Sequence, residues 1–235
     1  MSLSRVVAMR YEEWNPIYEA ILADFGYDRA ADERARDRLA DLVAGRDPLS
    51  VDAIDLSGTV AVCGAAATLS AELEGVRAAD RVVAASSAAA VCLRAGIDVD
   101  CMVTDLDKTP ETARKLAERD VPVAVHAHGD NVEAIERHVP TFEIGSVLPT
   151  TQAAPSPPVE NPGGFTDGDR AAFLADRCGA DRIVFAGWDF DDPSVGPEKA
   201  RKLRWAERLL AWLERRRGER FAVLDGRREG IDRPW

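Results

Sequence analysis

The stretch VTDLD (Val103–Asp107) closes one short apolar run of the chain, and HAHGDN (His126–Asn131) closes the next. The two runs, Cys101–Thr104 and Val121–Val125, have the length and composition of buried strands. Carboxylates and imidazoles that directly follow a buried strand are costly unless they face a cleft or an ion. In open α/β sheets that cleft lies at the carboxyl ends of the strands. The two stretches therefore predict an α/β sheet with one polar rim.

Short apolar runs and helical patterns alternate along the chain after Thr59. The alternation predicts right-handed βαβ units, and hence an α/β fold with a Rossmann-like, mostly parallel sheet and helices on both faces. We predict strands at Val60–Cys63, Arg81–Ala85, Cys101–Thr104, Val121–Val125, Arg182–Ala186 and Phe221–Leu224. We predict helices at Ala67–Leu73, Ala88–Ala95, Glu111–Arg119, Val132–His138, Asp167–Cys178 and Pro197–Arg217.

A small helical region precedes this α/β part. Apolar residues recur at helical spacing between Trp14 and Phe25, and a second helical pattern covers Asp28–Ala44. We predict a helical N-terminal region over residues 1–55 and an α/β catalytic domain over residues 56–235. Within that domain, the Pro/Gly-rich stretch 149–164 is typical of a lid or binding loop. Its part from Thr151 to Pro162 has few apolar anchors and no regular backbone partners, so we expect it to be mobile without ligand.

The composition argues against several classes of function. A net charge of −11 argues against a general nucleic-acid-binding protein, because such a protein needs a basic surface to neutralise phosphates. No apolar run is long enough to span a membrane, and Met1–Arg10 lacks the apolar core of a secretory signal. We therefore expect a cytoplasmic protein without membrane contact. The four cysteines form no C-x-x-C pair and are expected to be buried, unpaired thiols. A monomer and a homo-oligomer are both open alternatives.

Asp105 and Asp107 are candidate metal ligands. They lie two residues apart at a strand end, so both side chains are expected on one face, where they can approach one cation. Oxygen ligands of this kind suit Mg²⁺, which is usually held by one or two carboxylates together with substrate phosphates. The alternative is an Asp-rich turn whose side chains cap backbone N–H groups.

His126, His128 and Asp130 repeat this arrangement after the next strand. Zinc is one alternative, but no third nitrogen or sulfur ligand lies nearby in the sequence. We favour a phosphate contact for the two histidines, or support of the residues that bind Mg²⁺.

Two further stretches open helices. In GGFTDGDR (Gly163–Arg170), Thr166 is a suitable N-cap, and the following acidic residues suit a first helical turn. The same helix start can hold a phosphate or a metal contact, with Arg170 pairing with phosphate oxygens. The small-residue turn Gly64–Thr68 lies where a Rossmann-type sheet cradles phosphate. With a single glycine, this turn is equally typical of an ordinary strand-to-helix connection.

Together these motifs resemble the archaeal 6-hydroxymethyl-7,8-dihydropterin pyrophosphokinase family (MptE-like), which is related in fold to thiamine pyrophosphokinases. The resemblance runs from about Thr59 to Leu213. Two departures bear on the number of metal ions and on how closely the backbone approaches a nucleotide: Ser86-Ser87 replaces the family's Asp-Gly, and Gly64–Leu69 replaces G-x-G-P-S-L. The matching positions are Gly96-Ile97, Asp100, Val103–Asp107, His126–Asn131, Thr150–Gln152, Asn161, Gly163–Ala171 and Gly187–Phe190.

The resemblance implies Mg²⁺-dependent transfer of diphosphate from ATP to the hydroxymethyl group of 6-hydroxymethyl-7,8-dihydropterin, with release of AMP. The pathway would be tetrahydrofolate or tetrahydromethanopterin biosynthesis, and the loop from Thr151 to Pro162 would cover the substrates. The implied metal ligands are Asp105, Asp107, Asp130 and Asp167. The implied catalytic residues are Asp105, Asp107, His126, His128 and Arg170. The implied nucleotide- and substrate-binding residues are Gly64, Thr68, Ser86, Thr151, Gln152, Asn161, Gly164, Phe165 and Thr166.

Three other interpretations are open. The segment Asp105–Thr109 matches the D-x-D-x-T signature of haloacid-dehalogenase-like phosphatases, in which Asp105 would be the nucleophile and Asp189–Asp192 a distal acidic motif. That signature normally lies on the first core strand, whereas two βα units precede it here. The other two interpretations are a thiamine-type pyrophosphokinase and a nucleotide-binding module that has lost its catalytic activity. The loss of the family's carboxylate at Ser86 would be consistent with the second of these.

Overall fold

The computed structural model describes residues 9–235. Most of Met1–Arg10, in which no secretory signal is predicted, lies outside the described residues. Within them, six strands form one sheet in the order β5-β4-β3-β2-β1-β6, and every neighbouring pair is parallel. The predicted α/β fold with a parallel sheet is therefore confirmed. The strands are β1 (Thr59–Cys63), β2 (Arg81–Ala85), β3 (Cys101–Thr104), β4 (Val123–Ala127), β5 (Val147–Thr151) and β6 (Arg182–Ala186).

Helices cover both faces of the sheet. They are α1 (Tyr11–Phe25), α2 (Arg29–Val43), α3 (Leu73–Arg77), α4 (Ala88–Arg94), α5 (Pro110–Ala117), α6 (Val132–His138), α7 (Asp167–Arg177) and α8 (Pro197–Arg217). Successive strand side chains point to opposite faces, so Val60 and Val62 pack with α1, α7 and α8, whereas Ala61 and Cys63 pack with α2 to α6.

The strand order reverses beside β1. From β1 to β5 the chain advances in one direction across the sheet, and the connecting helices α3 to α6 all lie on one face. The chain then returns through α7, on the opposite face, to place β6 on the other side of β1. Right-handed crossovers require this change of face when the direction reverses. Ligands of α/β sheets bind at such a reversal, outside the carboxyl ends of the strands.

The two helices of the predicted N-terminal region pack on opposite faces of the sheet. Helix α1 buries Trp14 and Tyr18 on the face of α7, where the Trp14 and Phe173 rings meet edge-on at 6.3 Å. Helix α2 buries Leu39 and Val43 on the other face and contacts β4 and β5. Gly26, in the left-handed conformation at φ 71°, ends α1 and allows the chain to turn between them.

The predicted strand at Phe221–Leu224 is wrong. The segment forms a short 3₁₀ helix at Ala222–Leu224, with Phe221 and Leu224 fully buried. The Phe221 backbone N–H donates to the Glu214 carboxylate at 2.6 Å instead of to a strand. A four-residue apolar run carries no periodicity that separates a strand from another buried segment.

A second correction concerns the Pro/Gly loop. Its first residues belong to β5, which was not predicted because it contains Pro149 and ends in two threonines. Proline is tolerated there because β5 is an edge strand. The loop backbone also has partners, contrary to expectation: Thr151 N donates to Glu160 O, and Glu160 N donates to Pro149 O, each at 2.9 Å. The expectation of a mobile loop stays a prediction.

One smaller difference concerns the helix after β1, whereas the prediction for the cysteines is confirmed. The helix predicted at Ala67–Leu73 is a 3₁₀ helix at Ala67–Ala71 followed by α3. All four cysteines are buried and free, as predicted. Among the helices of the described part of the chain, none has the length and apolarity needed to cross a membrane.

Candidate active site

A cavity of about 700 Å³ lies outside the carboxyl ends of β1 to β4. Its walls come from the turns that follow these strands, from the residues that follow β5 and β6, from the first turns of α7 and α8, and from the connection between α1 and α2. It therefore occupies the place where an α/β sheet of this topology binds ligands. Of the predicted site residues, those that line it are Gly64, Ser86, Asp105, Asp107, His128, Asp130, Gln152, Phe165, Thr166, Asp167 and Arg170.

Three of these residues form a three-carboxylate cluster. Oxygen atoms of Asp105, Asp107 and Asp167 all lie within 4.8 Å of one another. The first two converge for a different reason from the one expected, because β3 already ends at Thr104. Leu106 adopts a left-handed conformation at φ 66°, and its N–H donates to Thr104 Oγ1 at 2.9 Å. This turn, rather than strand alternation, brings the two carboxylates together.

Asp167 reaches the cluster from the first turn of α7. Thr166 is the N-cap, as predicted, and the buried Asp169 carboxylate accepts its backbone N–H at 3.0 Å. Asp169 is thus occupied in starting the helix, and Asp167 is left to face the cavity. Gly164 precedes this turn at φ +92°, and a Cβ there would lie 2.5 Å from Arg170 Cα. Only glycine permits this close approach.

The cluster concentrates negative charge in a poorly solvated place. Burial, and then the neighbouring Asp105, raise the pKa of Asp167 to about 7. The same two causes raise the pKa of Asp107. For Asp105, burial acts in the raising direction, but hydrogen bonding with His128 and Asp107 and the charge of Arg170 lower its pKa overall. A cation bound between the three would relieve the repulsion that raises the pKa of Asp107 and of Asp167.

His128 faces the cluster and His126 does not. The His128 Nδ1 accepts the Asp130 backbone N–H at 3.3 Å, so the neutral ring carries its proton on Nε2, which lies 3.6 Å from Asp105 Oδ2. His126 is only 2% exposed, and its Nδ1 lies 3.2 Å from Thr150 Oγ1. Burial, and then the charge of Arg170, lower the pKa of His126 well below its usual value. It is therefore neutral and outside the cavity, which argues against the predicted phosphate contact.

Asp130 lines the cavity but is not part of the three-carboxylate cluster. The chain between β4 and α6 is instead arranged around Asn131. Its amide nitrogen donates to the carbonyls of Asp105 and His126, at 2.8 and 2.7 Å, and its oxygen accepts the His128 N–H at 2.9 Å. Asn131 thereby holds the ends of β3 and β4 together and sets the position of both His128 and Asp105.

Asp32, on α2, is a cavity residue that sequence reasoning missed. Its carboxylate is 4% exposed and accepts the Tyr18 hydroxyl at 2.7 Å and the Gly129 N–H at 2.8 Å. It also accepts Gln152 Nε2 at 2.7 Å, and Gln152 Oε1 accepts Arg170 Nη2 at 3.1 Å. A buried hydrogen-bonded chain therefore runs from the N-terminal helices to the arginine beside the cluster. No local sequence pattern marks Asp32 as part of it.

Arg170 contacts the three-carboxylate cluster through Asp167. Its side chain is 7% exposed, and Nη1 donates to Asp167 Oδ1 at 3.2 Å. The other terminal nitrogen, Nη2, donates to Gln152, and the buried Nε has no hydrogen-bond partner among the described residues. The guanidinium thus supplies a positive charge beside the carboxylates, with each of its terminal nitrogens bonded to a neighbouring side chain.

Several predicted binding residues lie away from the cavity lining. Thr68 is exposed on the 3₁₀ helix after β1, and Gly164 lies beneath Arg170. The Thr151 hydroxyl accepts the Ala153 N–H at 3.2 Å. Asn161 donates to the carbonyls of Gln152 and Ala153 at 3.0 and 2.7 Å. Thr151 and Asn161 therefore shape the Pro/Gly loop.

The turn after β1 meets the turn after β6 at the strand reversal. A Cβ on Gly64 would lie 2.5 Å from the carbonyl oxygen of Gly187, and Ala66 N donates to that same carbonyl at 3.0 Å. Next to this small-residue turn, Ser86 adopts φ 49°. Its buried hydroxyl lines the cavity and has no hydrogen-bond partner among the described residues. A strained residue with an unpaired buried hydroxyl is a typical ligand contact.

Besides the predicted Phe165, the structure places in the cavity lining aromatic and basic residues that were not among the predicted site residues. Phe165 and Tyr27 line one side of the cavity, with ring centroids 6.5 Å apart, and Trp188 lines another side. Such faces suit a planar ring. The basic side chains of the lining, apart from Arg170, are Lys108, Lys199 and Lys202.

Comparison with known proteins gives one consistent result. The family model described as 6-hydroxymethylpterin diphosphokinase MptE-like matches residues 43–194. A protein of Methanothermobacter thermautotrophicus is 39% identical over 225 residues, covering 88% of this chain and 96% of that protein. Proteins of Pyrococcus furiosus and Methanocaldococcus jannaschii are 37% and 30% identical, each again over 88% of this chain and 95% and 96% of their own. All three are named 6-hydroxymethyl-7,8-dihydropterin pyrophosphokinase.

Proposed function

Because the chain belongs to the 6-hydroxymethylpterin diphosphokinase MptE-like family, we propose that it transfers diphosphate from ATP to 6-hydroxymethyl-7,8-dihydropterin. The hydroxymethyl oxygen forms a bond to the β-phosphorus while the bond from that phosphorus to the α–β bridging oxygen breaks. AMP leaves, and the hydroxyl proton passes to water. The product would serve tetrahydrofolate or tetrahydromethanopterin biosynthesis.

The three-carboxylate cluster is the observation that carries the proposal. Three carboxylate oxygens from two separate segments lie within 4.8 Å of one another at the strand ends. Oxygen ligands are those preferred by Mg²⁺, and burial together with the neighbouring Asp105 raises the pKa of both Asp107 and Asp167, so that a cation would stabilise their ionised forms. The residues therefore fit a divalent cation, with Asp105, Asp107 and Asp167 as its ligands. When bound, Mg²⁺ supplies neutralising charge for the triphosphate.

The remaining residues position and protect the reactants. The His128 Nε2 proton and the Arg170 guanidinium lie beside Asp105 and Asp167 and orient their carboxylates. Ser86 offers an unpaired hydroxyl beside the small-residue turn after β1, where the nucleotide phosphates can approach the backbone. The Phe165 and Trp188 faces suit the planar rings of the substrates. Catalysis of this kind depends chiefly on positioning and charge stabilisation.

The decisive assay is AMP release from ATP in the presence of the reduced pterin, with thiamine as the alternative acceptor. Asp107→Asn should lower kcat/KM at least 100-fold and weaken Mg²⁺ binding measured by calorimetry, while the circular dichroism spectrum stays unchanged. Asp41→Asn is the matched control, because Asp41 is exposed on α2 and does not line the cavity.

Near-normal turnover of Asp107→Asn at saturating Mg²⁺ would remove the metal assignment. Transfer of diphosphate to thiamine but not to the pterin would show that the proposed acceptor is wrong. ATP cleavage through a trapped acyl-phosphate on Asp105 would support the phosphatase interpretation instead.

A further inference from the structure

Lysine is rare in this chain and concentrated at the cavity. The 30 basic residues comprise 26 arginines and 4 lysines. Three of the four lysines line the cavity, whereas Arg170 is the only arginine within residues 9–235 to do so. The chain thus uses arginine at nearly every basic position except around this site. The lysine ammonium is a compact point charge that can contact a phosphate from any direction, whereas the arginine guanidinium is planar and presents its N–H donors in a fixed arrangement.

The three residues, here called the lysine group, are Lys108, Lys199 and Lys202, and they come from two separate elements. Lys108 follows the cluster residue Asp107, and its Nζ lies 3.7 Å from the Asp107 carboxylate. Lys199 and Lys202 lie in the first turns of α8. The group therefore extends from the three-carboxylate cluster to the start of a 21-residue helix, where backbone N–H groups and the helix dipole also favour an anion.

Lys199 is the member without an anionic partner. Lys202 pairs with Glu198 at 3.1 Å and Lys108 with Asp107, but no carboxylate of the described residues lies within ion-pair distance of Lys199. Burial, and then the charge of Lys108, lower the pKa of Lys199. An ammonium that lacks a carboxylate partner and is repelled by a like charge is stabilised when an anion enters between the two ammonium groups.

We propose that Lys199, together with Lys108, binds the β- and γ-phosphates of the nucleotide, the diphosphate unit that is transferred. This inference rests on the proposed function for the identity of the nucleotide. A polyphosphate held at one end by the cation of the three-carboxylate cluster would extend past Lys108 to Lys199. AMP lacks the two phosphates and makes no contact with Lys199, which favours its departure after transfer.

The test compares three probes by calorimetry in the presence of Mg²⁺: ATP, AMP and inorganic tripolyphosphate. Lys199→Gln should weaken the binding of ATP and of tripolyphosphate at least 10-fold and change the binding of AMP less than two-fold. The slope of log affinity for tripolyphosphate against log KCl concentration should also become shallower, because one phosphate contact is lost. Lys115→Gln is the matched control, since Lys115 is the fourth lysine and is exposed on α5.

Unchanged tripolyphosphate binding by Lys199→Gln would overturn the inference. So would equal weakening of ATP and AMP, which would place the contact at the α-phosphate or show a general disturbance. The outcome is independent of the acceptor: if the protein transferred nothing to the pterin but lost tripolyphosphate affinity on Lys199→Gln, the lysine site would stand and the proposed function would fall.

Discussion

Asp32→Asn tests whether the N-terminal helices order the active site through a buried hydrogen-bonded chain. The Asp32 carboxylate accepts three hydrogen bonds, from Tyr18, Gln152 and Gly129, at 2.7, 2.7 and 2.8 Å. Asparagine keeps the shape of the side chain but replaces one acceptor oxygen with a donor. Its oxygen can still accept the Gly129 N–H, and the Tyr18 hydroxyl can rotate to accept from the new amide.

Gln152 has no such freedom. Its amide nitrogen would face the new donor at position 32, and rotating the amide by 180° would instead turn that nitrogen toward Arg170 Nη2, which now lies 3.1 Å from Oε1. Either arrangement exchanges one hydrogen bond for a contact between two donors. Hydrogen bonds to charged groups contribute about 1.5–3 kcal/mol each. We therefore expect Asp32→Asn to lower the free energy of unfolding by about 2–3 kcal/mol, and Tm by about 4–12 °C for a chain of this size.

A second substitution should restore the lost hydrogen bond. In the double variant Asp32→Asn/Gln152→Glu, the new amide at position 32 donates to the new carboxylate at position 152, which still accepts from Arg170. The net charge equals that of the parent protein. Gln152→Glu alone should be destabilising, because it places two buried carboxylates in contact. The double variant should therefore be more stable than the sum of the two single changes by at least about 1 kcal/mol.

Urea unfolding of the four proteins, followed by circular dichroism, measures this thermodynamic cycle. AMP release in the same variants reports whether the arginine behind the cluster has kept its position. Wild-type stability of Asp32→Asn, or strictly additive effects in the double variant, would refute the reasoning.

Three further outcomes are expected. Gly164→Ala should destabilise the protein more than Gly179→Ala. Both glycines have φ near +93°, where a non-glycine residue carries a strain of about 1–3 kcal/mol, but only at Gly164 would the new Cβ also meet the backbone of Arg170, since one at Gly179 meets nothing within 4 Å. Equal losses of Tm in the two variants would argue against the close contact. Glu214→Gln should lower stability by about 1–3 kcal/mol at pH 7. Burial raises the pKa of Glu214, but hydrogen bonding from Arg228 outweighs it and lowers the pKa below 4.5. The stabilisation is therefore complete above pH 4.5 and is lost as the pH falls through the lowered pKa. In urea unfolding, the free energies of unfolding of the two proteins should become equal in acid. Finally, the 41 acidic and 30 basic side chains leave an excess of negative charge that repels itself. Raising KCl from dilute buffer to about 1 M should raise Tm, because the screening length falls to about 3 Å and the repulsion weakens. A constant Tm would show that the surface charges are already paired.

Much of the fold and part of the site follow from local sequence patterns. The alternation of apolar runs and helical patterns predicted five of the six strands, because each element has its own periodicity. Polar motifs directly after buried strands identified Asp105, Asp107 and His128, and the capping pattern of Thr166 placed the start of α7. These features depend on neighbours within a few residues, and the parallel topology then requires the strand ends to meet on one rim.

Only the tertiary structure decided which residues share the cavity. Asp32 and Gln152 are 120 residues apart in sequence and 2.7 Å apart in space, and Lys199 reaches the cavity only because β6 lies beside β1. The same dependence on distant partners excluded His126 from the cavity and packed Phe221 against Phe185 of β6, with ring centroids 4.9 Å apart, in a segment that is not a strand. The physical reason is that burial and hydrogen-bond satisfaction are set by whichever segment packs opposite a residue, and local periodicity carries no record of that segment.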